Sequence, residues 1–227
     1  SNTLVLKEDG SILPRKHKET DEYYFAYGND YIGATTDLYK LTGQVPLIPR
    51  YALSNWWSRY KAYTQEEYLT LMDRFKNEEV PITVATVDMD WHWVDIKEKF
   101  GKDSHKVFMH QNLWEYVYDV WSAGWTGYSF NTDLFPDPAG FLKKLKDDGY
   151  KVTFNLHPSQ GVRWFEDQYE EMCDAMGQDS SKKQPVKFDI TDKKFTENYF
   201  KILHHPYEKM GVDFWWIDWQ QGTKTPV

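Results

Sequence analysis

The sequence predicts an α/β fold in which helices cover a parallel sheet. Two observations support this prediction. Four apolar strand segments alternate with helical segments from Tyr51 onward, and residues that start or stop helices lie at the boundaries between them. Strands that alternate with helices pair in parallel and are joined by right-handed crossovers. The first fifty residues have a different pattern, which predicts a separate, β-rich part.

The N-terminal fifty residues have the pattern expected at the end of a β-rich domain. Asp9-Gly10 is a typical hairpin turn between two short apolar runs, and Pro46 and Pro49 mark a linker. The predicted strands and helix are Leu4–Leu6, Ser11–Leu13, Glu22–Tyr27 and Asp37–Leu41. We therefore assign residues 1–50 to the C-terminal part of an N-terminal β-rich domain with its linker, and residues 51–227 to the α/β domain.

Local sequence signals define the elements of the α/β domain. Thr64 and Glu67 form a capping box at the start of one helix, and Asp137 caps a second helix that has Pro138 at its first position. The predicted strands are Ala52–Ser58, Pro81–Val87, Tyr150–Leu156 and Val212–Ile217, and the predicted helices are Gln65–Glu79, Asp137–Gly149 and Asp192–Gly211. Residues 91–135 are too many for a plain connection and predict a functional insertion.

Composition narrows the class of protein. The net charge of −8 disfavours a nucleic-acid partner, and no apolar run approaches the length of a membrane span. The single cysteine, Cys173, and the spacing of the histidines do not form a zinc pattern, so we predict no metal site and no cofactor and assign no compartment. The 11 tryptophans and 16 tyrosines suit either stacking on sugar rings or an unusually Trp-rich core.

Three of the predicted strands end in side chains that can take part in chemistry. Asp88 and Asp90 follow the second strand, His157 follows the third, and Asp218 ends the fourth inside the run Trp215–Trp219. The C-terminal ends of parallel strands form the ligand-binding edge of barrels and of open α/β sheets. Alternation along a strand predicts that Asp88 and Asp90 share one face. Helix capping is the alternative role for any one of these aspartates.

A carboxylate among tryptophans suggests cleavage of a glycosidic bond. Such a group can stabilise or attack the cationic anomeric carbon, while a second carboxyl group protonates the leaving oxygen. Two alternatives stay open. One is a metal-dependent glycosyltransferase in which Asp88 and Asp90 bind a divalent ion. The other is a glycan-binding module whose aromatic groove binds a sugar without cleaving it.

Several segments together resemble glycoside hydrolase family 31, the retaining α-glucosidase and α-xylosidase family. They are Leu41–Tyr60, Val87–Trp91, Phe135–Pro138, Lys151–Thr153 and Gly211–Asp218. The resemblance extends from about Tyr24 to Thr225. It implies the first half of a (β/α)8 TIM barrel, preceded by the tail of a β-sandwich domain.

The resemblance also implies roles for individual residues. Asp218 corresponds to the nucleophile, Asp88 to a carboxylate that binds sugar hydroxyls, and Tyr60 to a residue that lines the pocket. The other substrate-binding candidates, which resemble wall residues or neighbour these three, are Asp90, Trp91, His92, His157, Trp164, Trp216 and Trp219. The expected ligand is an α-linked oligosaccharide or glycoside, glucoside-like in the first instance.

Two departures from the family pattern leave the sugar undetermined. Trp219-Gln220-Gln221 follows Asp218 where the family commonly has Met-Asn-Glu, and the strand end Asn155–Pro158 replaces a version that is usually acidic. The general acid of the family, and an Arg and a His that bind the sugar, come from later strands. We therefore expect the remainder of the same polypeptide to be a partner of this chain. Without it, the 227-residue chain should hydrolyse little or nothing.

Some residues have no assigned chemistry. We expect Arg163 either at a pocket rim or on the surface, and His204-His205 to be a solvated or packed pair. Cys173 is expected to be a buried apolar filler.

Overall fold

The computed structural model describes residues 24, 26–105 and 123–218. The chain divides into two compact units, one of Ser1–Pro49 with Lys224–Val227 and one of Arg50–Thr223. In the described part of the first unit the regular element is helix α1, Tyr31–Thr42, which Asp30 caps by accepting a hydrogen bond from Gly33 N at 2.9 Å. This helix is longer than the predicted Asp37–Leu41 because the cap at Asp30 starts it earlier.

The predicted β-strands of the N-terminal part are only partly covered by the described residues. The two strands on either side of Asp9-Gly10 lie outside them. Of the predicted strand Glu22–Tyr27, the described positions 24, 26 and 27 are not in a strand, so the structure does not support a strand that reaches Tyr27.

The second unit alternates strands and helices as predicted. Its elements in chain order are β1 (Asn55–Trp57), α2 (Gln65–Asn77), β2 (Ile82–Val87), α3 (Ile96–Phe100), α4 (Pro138–Asp147), β3 (Lys151–Leu156), α5 (Tyr169–Met176), α6 (Lys193–Asn198), α7 (His205–Met210) and β4 (Phe214–Ile217). The two helix starts predicted from capping residues, at Thr64 and at Asp137, are confirmed. Thr64 and Glu67 form the reciprocal capping box of α2, and Asp137 caps α4 through Gly140 N.

The four strands form one parallel sheet in the order β1-β2-β3-β4. Neighbours in sequence are therefore neighbours in space, as in the first half of a (β/α)8 barrel. The register places Thr86 beside Thr153 and Asn155 beside Trp216. The C-terminal ends of β2, β3 and β4 consequently meet at one edge.

Two predicted elements have different bounds in the structure. Residues Arg50–Leu53 form a 3₁₀ turn, so β1 is shorter than the predicted Ala52–Ser58. The long helix predicted over Asp192–Gly211 is divided into α6, a π-helical segment over Tyr199–His204, and α7. Pro206, which has no N–H to donate, follows the π-helical segment, and a regular α-helical hydrogen bond cannot form there.

Aromatic packing on one side of the sheet forms the core. Trp91 is fully buried, stacks on Phe154 with ring centroids 4.8 Å apart, and donates its indole N–H to Asn155 O at 2.8 Å. Phe141, Leu142 and Leu145 of α4 are also fully buried in this core. Burial of side chains this large stabilises a fold by about 1.5–3 kcal/mol each.

An ion-pair cluster fixes the N-terminal end of the sheet. Asp213, just before β4, accepts hydrogen bonds from the ammonium groups of Lys146 (2.6 Å) and Lys151 (2.9 Å) and from Val152 N (2.9 Å). Burial would raise the pKa of this carboxyl, but the three donors outweigh burial and the pKa is lowered. The cluster therefore ties the start of β4 to β3 and to α4.

Candidate active site

The C-terminal edge of the sheet brings Asp88, His157 and Asp218 together. Asp218 continues the pairing of β4 with β3, because its N–H donates to Leu156 O at 3.0 Å. This backbone bond positions the carboxylate beside the imidazole of His157, with Nε2 and Oδ2 separated by 3.5 Å. Asp88 interacts electrostatically with both of these groups. The predicted collection of polar groups at this edge is thus present.

Access to solvent differs within this group. The side chain of Asp218 is 33% exposed, whereas that of His157 is 4% exposed. Asp88, Asp90 and Trp216 are half-buried, and Tyr60 is 65% exposed. A ligand at this edge could therefore reach the carboxylates and the rings of Trp216 and Tyr60, while the imidazole lies beneath them.

Asp88 and Asp90 do not share one face of an extended strand, which corrects the prediction from alternation. A 3₁₀ turn, Met89–Trp91, begins directly after Asp88, and Asp88 caps it by accepting a hydrogen bond from Met89 N at 2.8 Å. The capping alternative is therefore realised at Asp88, whose carboxylate remains half-buried at the sheet edge.

Burial and nearby charges raise the pKa of two carboxyl groups at this edge, Asp88 and Asp90. Burial raises the pKa of Asp88, and repulsion by Asp218 adds to it, while Met89 N–H and His157 act in the opposite direction. Burial also raises the pKa of Asp90, with repulsion from Asp88 and Asp95. Burial is also the main cause that raises the pKa of the Tyr60 hydroxyl, and the charges of Asp90, Asp88 and Asp95 raise it further. A site of this kind favours binding of neutral or cationic species.

Trp91 and His92 are core residues and not walls of the site, which corrects their prediction as substrate contacts. Both are 0% exposed, and additional polypeptide could not make them more accessible. The 3₁₀ turn after Asp88 directs Trp91 into the core. Burial lowers the pKa of His92 to about 4, and a side chain at Gly127 would collide with its ring, since a Cβ there would lie 2.2 Å from Nδ1.

The remaining predicted tryptophans lie in different settings. Trp216 is opposite Asn155 in the register of β3 and β4, two residues before Asp218, so it shares a face with that carboxylate. Trp164 is half-buried, contacts the rings of Phe100 and Phe165, and has the Lys183 ammonium 4.5 Å from its centroid. Trp219 lies outside the described residues.

A buried polar network behind the loop after β3 was not predicted. Arg163, expected at a rim or on the surface, is 1% exposed and donates to Ser104 O at 3.2 Å and to the Gln160 side chain. Glu166 is 5% exposed and accepts from Ser129 Oγ at 2.6 Å and from Tyr128 N at 3.1 Å. Burial raises the pKa of Glu166 to about 7. The only sequence signal was the spacing of an arginine and a glutamate three residues apart.

The other expectations concern single residues and metal ions. The pair His204-His205, expected to be solvated or packed, is divided: His204 is buried against Tyr199 and Trp215, and His205 is exposed. Cys173 is buried as expected. Across residues 24, 26–105 and 123–218, His, Cys, Asp and Glu side chains form no group of three or more that could bind a metal ion. In the same ranges, every helix is too short or too polar to span a membrane.

Carboxylates at the C-terminal ends of consecutive parallel strands are the arrangement found at the active-site edge of α/β barrels. Residues 45–226 match the model of the glycosyl hydrolases family 31 TIM-barrel domain, and the chain belongs to that family. The fold and the family predicted from the sequence are thereby confirmed.

Curated relatives agree with this assignment. The chain is 22% identical over 219 residues to an alpha-xylosidase of Saccharolobus solfataricus. The matched region covers 92% of this chain and 25% of the relative. The chain is 26% identical over 139 residues to alpha-xylosidase XylQ of Lactiplantibacillus pentosus, covering 60% of this chain and 15% of the relative. The chain thus spans about a quarter, or less, of the length of these relatives.

The structural neighbours support the fold. A family 31 alpha-xylosidase from Xanthomonas citri superposes with a TM-score of 0.56 at 18% identity, covering 84% of this chain and 19% of the neighbour. A family 31 alpha-xylosidase from a soil metagenome, solved with xylose, superposes with a TM-score of 0.52 at 20% identity, covering 78% and 23%.

Proposed function

We propose that this chain is the part of a retaining α-glycoside hydrolase that provides the nucleophile, Asp218. The main supporting observation is the setting of this carboxylate. It is accessible at the C-terminal end of β4, its backbone is bound to β3, and it lies 3.5 Å from an imidazole. Family 31 membership makes glycosidic bonds the substrate class.

The proposed reaction follows the retaining mechanism. An oxygen of Asp218 attacks the anomeric carbon, the bond to the leaving oxygen breaks, and a general acid gives that oxygen a proton. Water then hydrolyses the glycosyl-enzyme ester and releases Asp218. Asp88, half-buried beside the nucleophile, binds hydroxyls of the sugar in this proposal, and Trp216 and Tyr60 provide its apolar contacts.

The proposed substrate is an α-xyloside, with α-glucosides as the alternative. Three relatives of this chain are named alpha-xylosidases, which shifts the expectation from the glucoside-like substrate suggested by the sequence. The general acid is proposed to lie on a later strand of the same polypeptide. The 227-residue chain alone should therefore hydrolyse aryl α-xylosides and aryl α-glucosides far more slowly than intact enzymes do.

A covalent trap tests the assignment of the nucleophile. The full-length polypeptide is incubated with fluorinated α-xylosyl and α-glucosyl donors, and the labelled peptide is identified by mass spectrometry. Label on Asp218, lost in Asp218→Asn and retained in Asp213→Asn, is the expected result. Asp213 is a matched control because it lies at the opposite end of the same strand. Label on another residue would refute the assignment.

The same polypeptide also tests the two alternatives. Turnover that a chelator abolishes and Mn²⁺ restores would favour the glycosyltransferase with Asp88 and Asp90. Glycan binding without turnover, unchanged by Asp218→Asn, would favour the binding module.

A further inference from the structure

His157 lies between two carboxylates that come from neighbouring strands. β3 is the central strand of the group β2-β3-β4, so the residue that follows β3 is flanked by Asp88 after β2 and by Asp218 after β4. Nε2 of His157 is 3.5 Å from Asp218 Oδ2. At this distance the contact is at the outer limit of a hydrogen bond, and such bonds commonly shorten when substrate binds.

The imidazole is too deeply buried to bind a sugar directly. Its side chain is 4% exposed, and its Nδ1 is a buried atom with no hydrogen-bond partner in the described part of the chain. Asp218, in contrast, is 33% exposed. Any effect of His157 on a bound sugar must therefore pass through the carboxylate.

The surroundings of the ring favour the neutral form with its hydrogen on Nε2. Burial lowers the pKa of His157, against the attraction of Asp218 and Asp88, and His92 and the ring of Trp125 are its other neighbours. Protonation of both nitrogens would leave a buried N–H at Nδ1 without an acceptor, which is more costly than an unpaired lone pair. Nε2–H then faces the carboxylate.

Hydrogen bonds fix the backbone around His157, and the ring of Trp125 packs edge-on against the imidazole. Thr126 Oγ1 donates to the carbonyl of His157 and accepts from Gln160 N at 3.3 Å. Gly161 adopts φ +67°, and a Cβ there would lie 2.1 Å from Val186 O, so this turn requires glycine. A donor held in this way loses little entropy when it forms its hydrogen bond.

We propose that His157 is a positioning residue that donates Nε2–H to Asp218 and aims this carboxylate at the anomeric carbon. The inference rests on the proposed function of Asp218. The resemblance implies an acidic residue at this strand end, which would repel the nucleophile, whereas an imidazole supplies a donor. Such a donor also stabilises the carboxylate when it leaves the glycosyl-enzyme in the second step.

Nuclear magnetic resonance of the histidine rings tests the contact without any turnover. In the 227-residue chain, the ¹⁵N shifts of His157 should show the Nε2–H tautomer at neutral pH. Asp218→Asn and Asp88→Asn should each lower the pKa of His157, because both carboxylates favour the imidazolium. Asp213→Asn, at the other end of the sheet, should leave it unchanged. An Nδ1–H tautomer, or a pKa that does not respond to Asp218→Asn, would overturn the proposal.

Kinetics of the full-length polypeptide separate positioning from substrate contact. His157→Leu should lower kcat by about 10- to 100-fold, the equivalent of one hydrogen bond to a charged group, with little change in KM. His157→Gln, whose amide can still donate, should recover at least part of this loss. A raised KM with unchanged kcat in His157→Leu would contradict the positioning role. Equal losses of kcat in His157→Leu and His157→Gln would also contradict it.

The trapping experiment distinguishes this inference from the proposed function. In His157→Leu the fluorinated donor should still label Asp218, only more slowly than in the unmodified protein. Absence of label on Asp218 in the unmodified protein would refute the nucleophile itself. Labelling at an unchanged rate in His157→Leu would refute only the role of His157.

Discussion

The pKa values of aspartates are shifted in opposite directions at the two ends of the sheet. At the N-terminal end, Asp213 is surrounded by two ammonium groups and a backbone N–H, and these donors lower its pKa against burial. At the C-terminal end, burial raises the pKa of Asp88 and Asp90, and repulsion by neighbouring carboxylates adds to it. The first arrangement stabilises the fold, whereas the second costs stability and is typical of a site that does chemistry.

The two aspartates that flank β4 differ in their contacts and in their access to solvent. Asp213 and Asp218 are close in sequence and flank the same short strand. One is linked to β3 by hydrogen bonds and ion pairs, and its side chain is 12% exposed. The other is 33% exposed and faces an imidazole. Substitution of Asp213 and substitution of Asp218 should therefore affect different properties of the protein.

The largest expected difference is in stability. Asp213→Ala should lower the free energy of unfolding by about 2–3 kcal/mol, because it removes charge-assisted hydrogen bonds and leaves Val152 N without its acceptor. Asp218→Asn should change it by less than about 0.5 kcal/mol. Urea unfolding at pH 7 measures both, and equal losses would remove the distinction between the two ends.

The contribution of Asp213 should also depend on pH. Because its folded-state pKa is lowered, its stabilisation is present above the unfolded value of about 4 and is lost as the pH falls through the folded value. The difference between the unmodified chain and Asp213→Ala should therefore shrink in acid. A difference that stays constant from pH 7 to pH 2 would contradict the ion-pair explanation.

The buried carboxyl of Glu166 should show the opposite pH dependence. Its pKa is raised to about 7, so the folded state keeps a proton that the unfolded state releases near pH 4. Stability is thus fully present below about pH 4 and is lost as the pH rises through about 7. Glu166→Gln should be more stable than the unmodified chain by about 1–2 kcal/mol at pH 8 and equal to it at pH 4. Thermal unfolding across this range is the measurement, and parallel curves would refute the buried-carboxyl assignment.

The smallest expected effect is at the edge of the active site. Asp88→Asn should raise the free energy of unfolding at pH 7 by about 0.5–1 kcal/mol, because it removes a buried charge and its repulsion of Asp218. The amide oxygen can still cap Met89 N. Since the folded-state pKa of Asp88 is raised, the gain should vanish as the pH falls below about 4, where both states are protonated. A loss of stability at pH 7 would show that the cap outweighs the repulsion.

Much of the fold could be predicted because its signals are local. The capping box of Thr64 and Glu67 needs residues only three apart, and Asp137 with Pro138 defines the start of α4 in the same way. Alternation of strands and helices then predicts the parallel sheet and the edge where Asp88, His157 and Asp218 meet. The π-helical segment and the short β1 were missed, since their geometry also depends on packing against the rest of the unit.

The sequence by itself determined the order of the four strands, the capped starts of α2 and α4 and the residue types at the strand ends, because each depends on neighbours along the chain. Only the tertiary structure decided which of those residues face solvent. Trp91 is buried because its indole donates to Asn155, 64 positions away, and stacks on Phe154. The contact of His157 with Asp218 likewise arises only when β3 and β4 pair, since no local pattern records a distance between strands.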